Sequence, residues 1–220
     1  MKRYLLLLVM AATVGTSVAQ TAKEMAEKRK EVMSMSKEEM SAKASKAAEE
    51  EAKRYEKEGW KVAPGSLPLK AQLDKSYAIQ QQYDENFESK FVMGQAISVG
   101  STYDAARMQA VELAKQELAG MIGSVITAQT ETAIANKQLS NEEAVSITQT
   151  IQKSRNQVAQ RIGKVIVAVE LYRDNEAGKE VLVRIAYNMD NAKRIALETM
   201  REELTKMLDN LNKKLEELMQ

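Results

Sequence analysis

The segment KVIVAVELYRDNEAGKEVLVRIAY, residues 164–187, carries the strongest indication of architecture in this sequence. Valine and isoleucine dominate both of its ends, and the polar run DNEAGK at 174–179 separates them. Alternating β-branched residues on either side of a glycine-containing turn are typical of two antiparallel strands. We therefore predict a β-hairpin with strands over 164–173 and 181–187. Its alternating apolar positions are Val165, Val167, Val169, Leu171, Val181, Val183, Ile185 and Tyr187.

Upstream of the hairpin, the sequence predicts a third strand and a long helix. In residues 91–99 larger apolar side chains alternate with small or polar ones, which is the pattern of a half-buried strand. Ser101 or Thr102 can cap the helix, which extends to about residue 135. Gly120 and Gly123 within it are either weak points or sites of close packing. The predicted core-facing stripe comprises Ala106, Ala110, Leu113, Ala114, Leu118, Met121, Ile122, Val125 and Ile126.

Two further helices complete the predicted core. Ser140 and Glu143 have the spacing of a capping box, so a helix begins there and leads to the hairpin. Asp190 or Asn191 caps a last helix that runs to the C-terminus. The predicted order is β-α-α-β-β-α, an α+β fold in which a small three-stranded sheet packs on helices, with long N- and C-terminal helices.

The first nineteen residues have the three parts of a cleavable secretory signal peptide. Met1-Lys2-Arg3 is basic, residues 4–14 are apolar, and Ser17 and Ala19 put small residues at positions −3 and −1. The apolar run is shorter than the about 20 residues that a membrane-spanning helix needs. We expect export, cleavage before Gln20 and no transmembrane segment afterwards.

Residues 20–58 are highly charged and contain neither Gly nor Pro, which predicts one long helix with a narrow apolar seam. Its methionines leave open a second interpretation, an adaptable binding groove. Residues 59–69 (GWKVAPGSLPL) hold both prolines and the only tryptophan, so 59–88 is predicted as a connector with a short helix. Trp60 is expected to pin this connector onto the core by burying its ring, with ligand binding as the alternative.

Leucines recur at seven-residue intervals along the last helix, residues 191–220. A strict heptad indicates a coiled coil, and about 40 Å of helix is more than one small domain can cover. We assign residues 195–204 to ordinary packing on the sheet and 207–218 to coiled-coil association. The predicted interaction residues are Leu197, Leu204, Leu208, Leu211, Leu215 and Leu218, together with Trp60.

The composition excludes several classes of function. The chain contains no Cys and no His, so it lacks disulfides, thiol chemistry, a lipid-modified cysteine and the commonest metal ligand and general base. Secreted eukaryotic domains usually carry disulfides, which favours a bacterial periplasm. The formal net charge is +1 and aromatic residues make up 5%, so a basic, base-stacking surface for nucleic acid is not expected. No metal and no cofactor is expected either.

Carboxylates are the remaining candidates for catalysis. Glu112 and Glu117 flank the apolar stripe of the long helix, where charged residues are ordinarily solvated. No nucleophile, general base or phosphate-binding loop accompanies them. We therefore expect no catalytic residue, no small-molecule substrate and no enzymatic activity. The other carboxylates considered are Asp104, Glu131 and Glu170.

Residues 90–190 resemble a known group of proteins. A glycine-containing strand precedes a helix with Ala106, Ala110 and Ala114 that leads to Leu118; a polar helix and a hairpin ending in 181-VLVRI-185 follow. This order resembles the bacterial envelope lipoprotein family that includes a surface antigen and flagellar outer-membrane collar proteins. The resemblance implies a non-enzymatic envelope protein that forms rings or other assemblies. The chain lacks the family's lipidated cysteine, so direct membrane anchoring is not expected.

These observations predict five segments: a signal peptide (1–19), a charged helix (20–58), the connector (59–88), an α+β core domain (89–190) and the C-terminal helix (191–220). The expected function is a structural or assembly role in a Gram-negative cell envelope, in the periplasm or at the outer membrane. Self-association or binding to other envelope proteins would bury the leucine heptads. The alternative is a periplasmic binding module or chaperone for peptide or protein clients.

Overall fold

A computed structural model describes residues 27, 30, 37–135 and 140–218 of the 220-residue chain. The side chains of residues 37, 38, 129, 131–134, 141, 142, 144 and 207–218 lie outside the description. The predicted signal peptide also lies outside the described residues. Within them, five helices and four strands follow in the order α1 Lys37–Lys57, β1 Lys61–Val62, α2 Leu69–Gln80, β2 Phe91–Gly100, α3 Tyr103–Ala135, α4 Asn141–Arg161, β3 Ile166–Asn175, β4 Gly178–Asn188 and α5 Met189–Leu218.

The sheet has four antiparallel strands in the order β1-β3-β4-β2. The α+β class is as predicted, but the prediction of three strands is wrong. The additional strand, β1, has two residues, and Lys61 and Val62 pair with Tyr172 and Leu171. A strand this short, within a segment rich in Gly and Pro, has no alternating pattern that a sequence could display.

The hairpin of β3 and β4 turns over two residues between Asn175 and Gly178. Gly178 has a φ of +129°, and the Asn175 Oδ1 atom accepts a hydrogen bond from the Ala177 N–H at 3.0 Å. A β-bulge between Val167 and Val169 interrupts the register of β3. The predicted regular alternation through β3 is therefore wrong, because Val167 faces one layer of helices and Val169 faces the other.

Helices cover both faces of the sheet. The face with α3, α4 and α5 holds the larger hydrophobic core, and the opposite face packs against α1 and α2. The central strand β4 is buried on both sides from Val181 to Ala186. The helix α1 contributes Ala48, Ala52 and Tyr55 to the second core, so its narrow seam is covered by the chain's own sheet.

The long helix α3 lies over β2 and β4, and most of its predicted stripe is buried. Leu113 and Met121 are exceptions, with exposed fractions of 38% and 44%. Gly120 and Gly123 are close-packing sites: a Cβ atom on Gly120 would lie 2.6 Å from Nη2 of Arg155 on α4. The buried members of the stripe are Ala106, Ala110, Ala114, Leu118, Ile122 and Ile126.

Capping residues define where the helices begin. Thr102 caps α3 by accepting a hydrogen bond from the Ala105 N–H at 3.2 Å. The predicted capping box of Ser140 and Glu143 is present at the start of α4. The side chain of Asn188 accepts a hydrogen bond from the Asn191 N–H at 3.0 Å. Asn188 therefore caps α5, in place of the predicted Asp190 or Asn191.

Candidate functional site

Trp60 lies in the core between α1 and the tip of the hairpin. Its ring makes an edge contact with Tyr55 at 6.4 Å between centroids, and the Arg173 guanidinium lies 4.4 Å from its centre. The indole N–H donates to Glu58 Oε2 at 3.3 Å, and Arg173 is held in turn by Glu180 at 2.6 Å. Only 4% of Trp60 is exposed, so its faces are occupied by the protein's own residues.

The leucines of α5 point away from the core where the structure describes them. Leu197 is 48% exposed and Leu204 is 41% exposed, whereas Ile195 and Met200 on the same helix are buried. The remaining predicted interaction residues have side chains outside the described residues: Leu208, Leu211, Leu215 and Leu218. The outward side of α5 is thus apolar at both described heptad positions.

Glu112 and Glu117, two of the carboxylates considered for catalysis, are exposed and accept hydrogen bonds from the protein's own groups. Glu112 Oε1 accepts from Lys115 Nζ at 2.9 Å. Glu117 accepts a hydrogen bond from the backbone N–H of Gln95 on β2. Asp104 lies in the first turn of α3, and the side chain of Glu131 lies outside the described residues. The structure does not bring Glu112 and Glu117 together in any hydrogen-bonded pair.

Glu170 of β3 forms a small polar cluster with α3. Its Oε1 atom accepts from Arg107 Nε at 2.8 Å and from the Tyr103 hydroxyl. Burial, followed by the hydrogen bond to Glu170, raises the pKa of Tyr103 well above its ordinary value. Tyr103 also makes an edge contact with Tyr172 at 5.7 Å. The cluster joins the start of α3 to the sheet.

A buried ion pair occupies the opposite face of the sheet. Arg184 of β4 donates from Nη2 to Glu51 Oε1 of α1 at 2.7 Å, and the two side chains are 10% and 9% exposed. The remaining donors of Arg184 reach Gln95 Oε1 at 2.8 Å and Ser76 Oγ at 3.2 Å. The Tyr77 hydroxyl donates to Glu51 Oε2 at 3.1 Å. One guanidinium therefore joins β4, β2, α1 and α2.

The two charges of this pair stabilise each other. Burial raises the pKa of Glu51, but hydrogen bonds and the charge of Arg184 outweigh burial and leave this pKa below its ordinary value. Burial lowers the pKa of Arg184, but the hydrogen bond to Glu51 and the charge of Glu51 outweigh burial, so this pKa lies above its ordinary value. Both groups are ionised at neutral pH, and their geometry holds α1 on the sheet.

Sequence reasoning missed the Arg184–Glu51 pair, although one signal was present. Arg184 is the single charged residue within 181-VLVRIAY-187, a strand otherwise composed of residues suited to a core. A charge in such a strand requires a buried partner. Nothing in the sequence singles out Glu51 among the many acidic residues of α1, because its burial depends on how α1 crosses the sheet.

The outer edge of β2 is the other notable surface. Ile97 and Val99 are 45% and 40% exposed on the face that carries α1 and α2. On the opposite face, Leu113 and Met121 of α3 lie about one helical turn before and one turn after Glu117, which accepts the hydrogen bond from the Gln95 N–H. These four exposed side chains therefore flank one strand edge, and we call them, with that edge, the edge surface.

A small cavity lies among the helices on one face of the sheet. The cavity among α3, α4 and α5 has a volume of about 10 Å³, about the space for one water. Within residues 37–135 and 140–218, no group of three or more acidic side chains is arranged to hold a metal ion. None of the described helices combines the length and apolar character needed to cross a membrane.

The chain matches no protein-family model, no curated protein and no solved structure. Function has therefore to be inferred from the residues themselves.

Proposed function

We propose that the chain is an exported, non-enzymatic protein of a Gram-negative cell envelope that acts as a structural component by associating with further copies of itself. The proposal includes removal of residues 1–19 and residence in the periplasm or at the outer membrane. Two sequence features support a location in the cell envelope. They are the resemblance of residues 90–190 to envelope lipoproteins and the signal-peptide pattern of the first nineteen residues.

The observation that carries the assembly role is the uncovered side of α5. Leu197 and Leu204 are largely exposed one heptad apart, and the heptad continues in sequence through Leu211 and Leu218. The domain packs against the other side of the helix, through Ala192, Ile195, Ala196 and Met200. An apolar stripe that continues along a helix beyond its own core is typical of an interaction site.

The arrangement of polar groups supports a structural role over a catalytic one. Glu170 and Glu51, two carboxylates largely buried against the sheet, are each bound by an arginine and a tyrosine of the same chain. These hydrogen bonds join helices to the sheet, which is what a structural role requires. The charged groups of the sheet thus serve the packing of its layers.

The mass in solution tests the proposal. The full chain is expressed with its own leader in a Gram-negative host, and the purified protein is measured by light scattering across a concentration series. We expect a mass above one chain, and a shift toward one chain when Leu197→Glu and Leu204→Glu are combined. Val145→Glu with Met108→Glu is the matched control, since these exposed apolar residues lie on α4 and α3. A single-chain mass at every concentration contradicts the proposal.

Processing is tested on the same material by sequencing the N-terminus. The proposal expects recovery outside the cytoplasm with Gln20 first, because Ser17-Val18-Ala19 supplies the small residues that signal peptidase requires. A purified protein that still begins at Met1 contradicts export by a cleaved signal, and leaves the association test unaffected.

A second candidate function, a chaperone for unfolded clients, is favoured by two exposed methionines. Met108 is 68% exposed and Met121 is 44% exposed on α3, and methionine adapts readily to varied apolar partners. This function expects suppression of aggregation of a denatured test protein by single chains, at concentrations where light scattering shows no association. Loss of that suppression on Met108→Ser with Met121→Ser would support it.

A further inference from the structure

We propose that the outer edge of β2 is an interface at which a second copy of this chain adds its own β2 in antiparallel orientation. The two four-stranded sheets would then form one continuous sheet across the pair. This inference rests on the proposed self-association and assigns it a specific surface, separate from the leucines of α5.

The first support is the direction of the backbone groups of β2. The N–H of Gln95 donates to Glu117, so it points away from β4. In an antiparallel pair the inward and outward groups alternate, so the backbone of Met93, Ile97 and Val99 faces outward as well. In the described part of the chain, β4 is the sole strand that pairs with β2. A row of outward N–H and C=O groups is a template for another strand.

The second support is that β2 lacks the features that protect edge strands. Its ten residues, FVMGQAISVG, include no charged residue and no proline. The opposite edge of the sheet is protected, because β1 has only two residues and Lys61 on it pairs with Asp174 at 3.6 Å. Short strands and lysines discourage pairing between sheets, whereas a long neutral strand permits it.

The third support is the apolar surround of the edge. Ile97 and Val99 lie on one side of the strand, and Leu113 and Met121 lie on the α3 side, each between 38% and 45% exposed. A strand added here would cover apolar side chains on both faces of the sheet. Cross-strand apolar pairs of this kind add to the stability that the backbone hydrogen bonds provide.

The edge surface fits a second copy because its pattern is self-complementary. A twofold axis that passes beside Ser98 places Ile97 opposite Val99 of the partner subunit, and the same contact is repeated on the other side of the axis. Because β2 itself is neutral, the two paired strands bring no like charges together. The same symmetry brings the exposed stripes of the two α3 helices toward each other.

Glu117 controls access to this edge. Its carboxylate occupies the hydrogen-bonding position of the Gln95 N–H that the incoming strand needs. The side chain is long and exposed, so it can swing aside when the strand pairs. Removal of this acceptor leaves the N–H free, and we expect Glu117→Ala to strengthen association. The matched control is Glu112→Ala, which removes an exposed carboxylate from the same helix without touching β2.

Cross-linking through single cysteines tests the geometry. The chain has no cysteine, so Ile97→Cys in the full chain introduces one thiol per copy. Opposite and diagonal positions in an antiparallel pair are about 5–8 Å apart, within reach of a short bis-maleimide linker. We expect rapid formation of cross-linked pairs, and much slower formation from Val145→Cys, which places a thiol on the exposed surface of α4.

A charge substitution tests the same interface without a linker. Ile97→Lys with Val99→Lys places like charges across the axis, and we expect the dissociation constant to rise about tenfold or more. The control is Met108→Lys with Val145→Lys. Circular dichroism of each variant verifies the fold, and the cysteine variants give a second readout where a lysine variant does not fold.

The results separate this inference from the proposed function. If the unaltered protein associates but Ile97→Cys cross-links no faster than Val145→Cys, association persists through α5 and the edge interface is overturned. If the protein has the mass of one chain throughout, both proposals fail. Cross-linking specific to Ile97, with association that survives Leu197→Glu and Leu204→Glu, supports the edge interface and contradicts a role for α5.

Discussion

At the scale of single residues, Arg184 determines how the N-terminal part of the chain attaches to the sheet. A buried charge costs several kcal/mol to desolvate, and its pairing must be nearly complete for the fold to tolerate it. Arg184 has acceptors on α1, α2 and β2, and Glu51 has donors in Arg184 and Tyr77. The pair therefore specifies one position of α1, because a shift along the helix would leave Arg184 buried without a carboxylate and would leave Glu51 with Arg54 alone as its cation.

We expect Arg184→Met to lower the free energy of unfolding by about 3–5 kcal/mol, because Glu51 remains buried with only the exposed Arg54 as its cation. Combining it with Glu51→Leu should recover most of this loss, since an apolar pair replaces the ionic one. Urea denaturation measures both variants. Arg194→Met is the control, because Arg194 pairs with Glu198 on the exposed side of α5. Losses that simply add in the double variant would contradict the coupling.

The lowered pKa of Glu51 predicts a dependence of stability on pH. A carboxylate whose folded pKa lies below its unfolded value, about 4.3, stabilises the fold above that value. The contribution is lost as the pH falls through the folded pKa. We expect the stability difference between the unaltered chain and Glu51→Gln to be constant near neutral pH and to shrink below about pH 4. Urea midpoints from pH 3 to 7 measure it, and a difference that stays constant contradicts the assignment.

At the scale of elements, the contact between α3 and β2 depends on a glycine. A Cβ atom on Gly94 would overlap the carbonyl oxygen of Ala114 and lie 2.9 Å from Leu118 Cγ. Ala110 and Ala114 on the helix also have small side chains, so the helix and the strand approach closely. This close packing explains why alanine fills the helical stripe where it crosses the sheet, and leucine and isoleucine follow beyond it.

We expect Gly94→Ala to destabilise the fold by about 1–3 kcal/mol, because the added methyl meets backbone that cannot move alone. Gly163→Ala is the control: its Cβ atom would meet nothing within 4 Å. That change should be neutral or stabilise by up to about 1 kcal/mol, since alanine has fewer unfolded conformations. Thermal unfolding of the two variants decides between them, and equal effects would show that the contact is not tight.

The sequence predicted those elements whose pattern is local. The β3–β4 hairpin, the capping box at Ser140 and the stripe of α3 each follow from residues a few positions apart. The bulge at Val167 and the strand β1 did not, because each depends on what lies across the sheet. The Arg184–Glu51 pair was missed for the same reason, since its members are far apart in the chain.

At the scale of the whole molecule, the sheet needs helices on both faces. The strand β4 is buried from Val181 to Ala186, with alternate residues in the two cores. Leu182 and Leu171 depend on α1 and α2 for their cover, and so does Arg184. The connector and α1 are therefore integral to the packing of the sheet.

A chain that begins at residue 89 should accordingly be unstable. It keeps every strand except β1 but exposes Leu171, Leu182 and Val169 on one face, together with an unpaired Arg184. We expect this shortened chain to aggregate or to bind an apolar dye strongly, whereas the full chain should do neither. A soluble, cooperatively unfolding chain from residue 89 would contradict the need for the second layer.

The pairing order of the sheet also has a consequence for kinetics. The β3–β4 hairpin closes over two residues. By contrast, α3, α4 and β3 lie between β2 and β4 in the sequence, so the pairing of β2 with β4 closes a long loop. Contacts distant along the chain form late, because closing a long loop costs more entropy than closing a short one. During folding, the uncharged strand β2 is thus expected to pair later than the hairpin, and both of its edges are open until it does. A newly made chain would pass through this interval among its neighbours, when β2 is most able to join the wrong sheet.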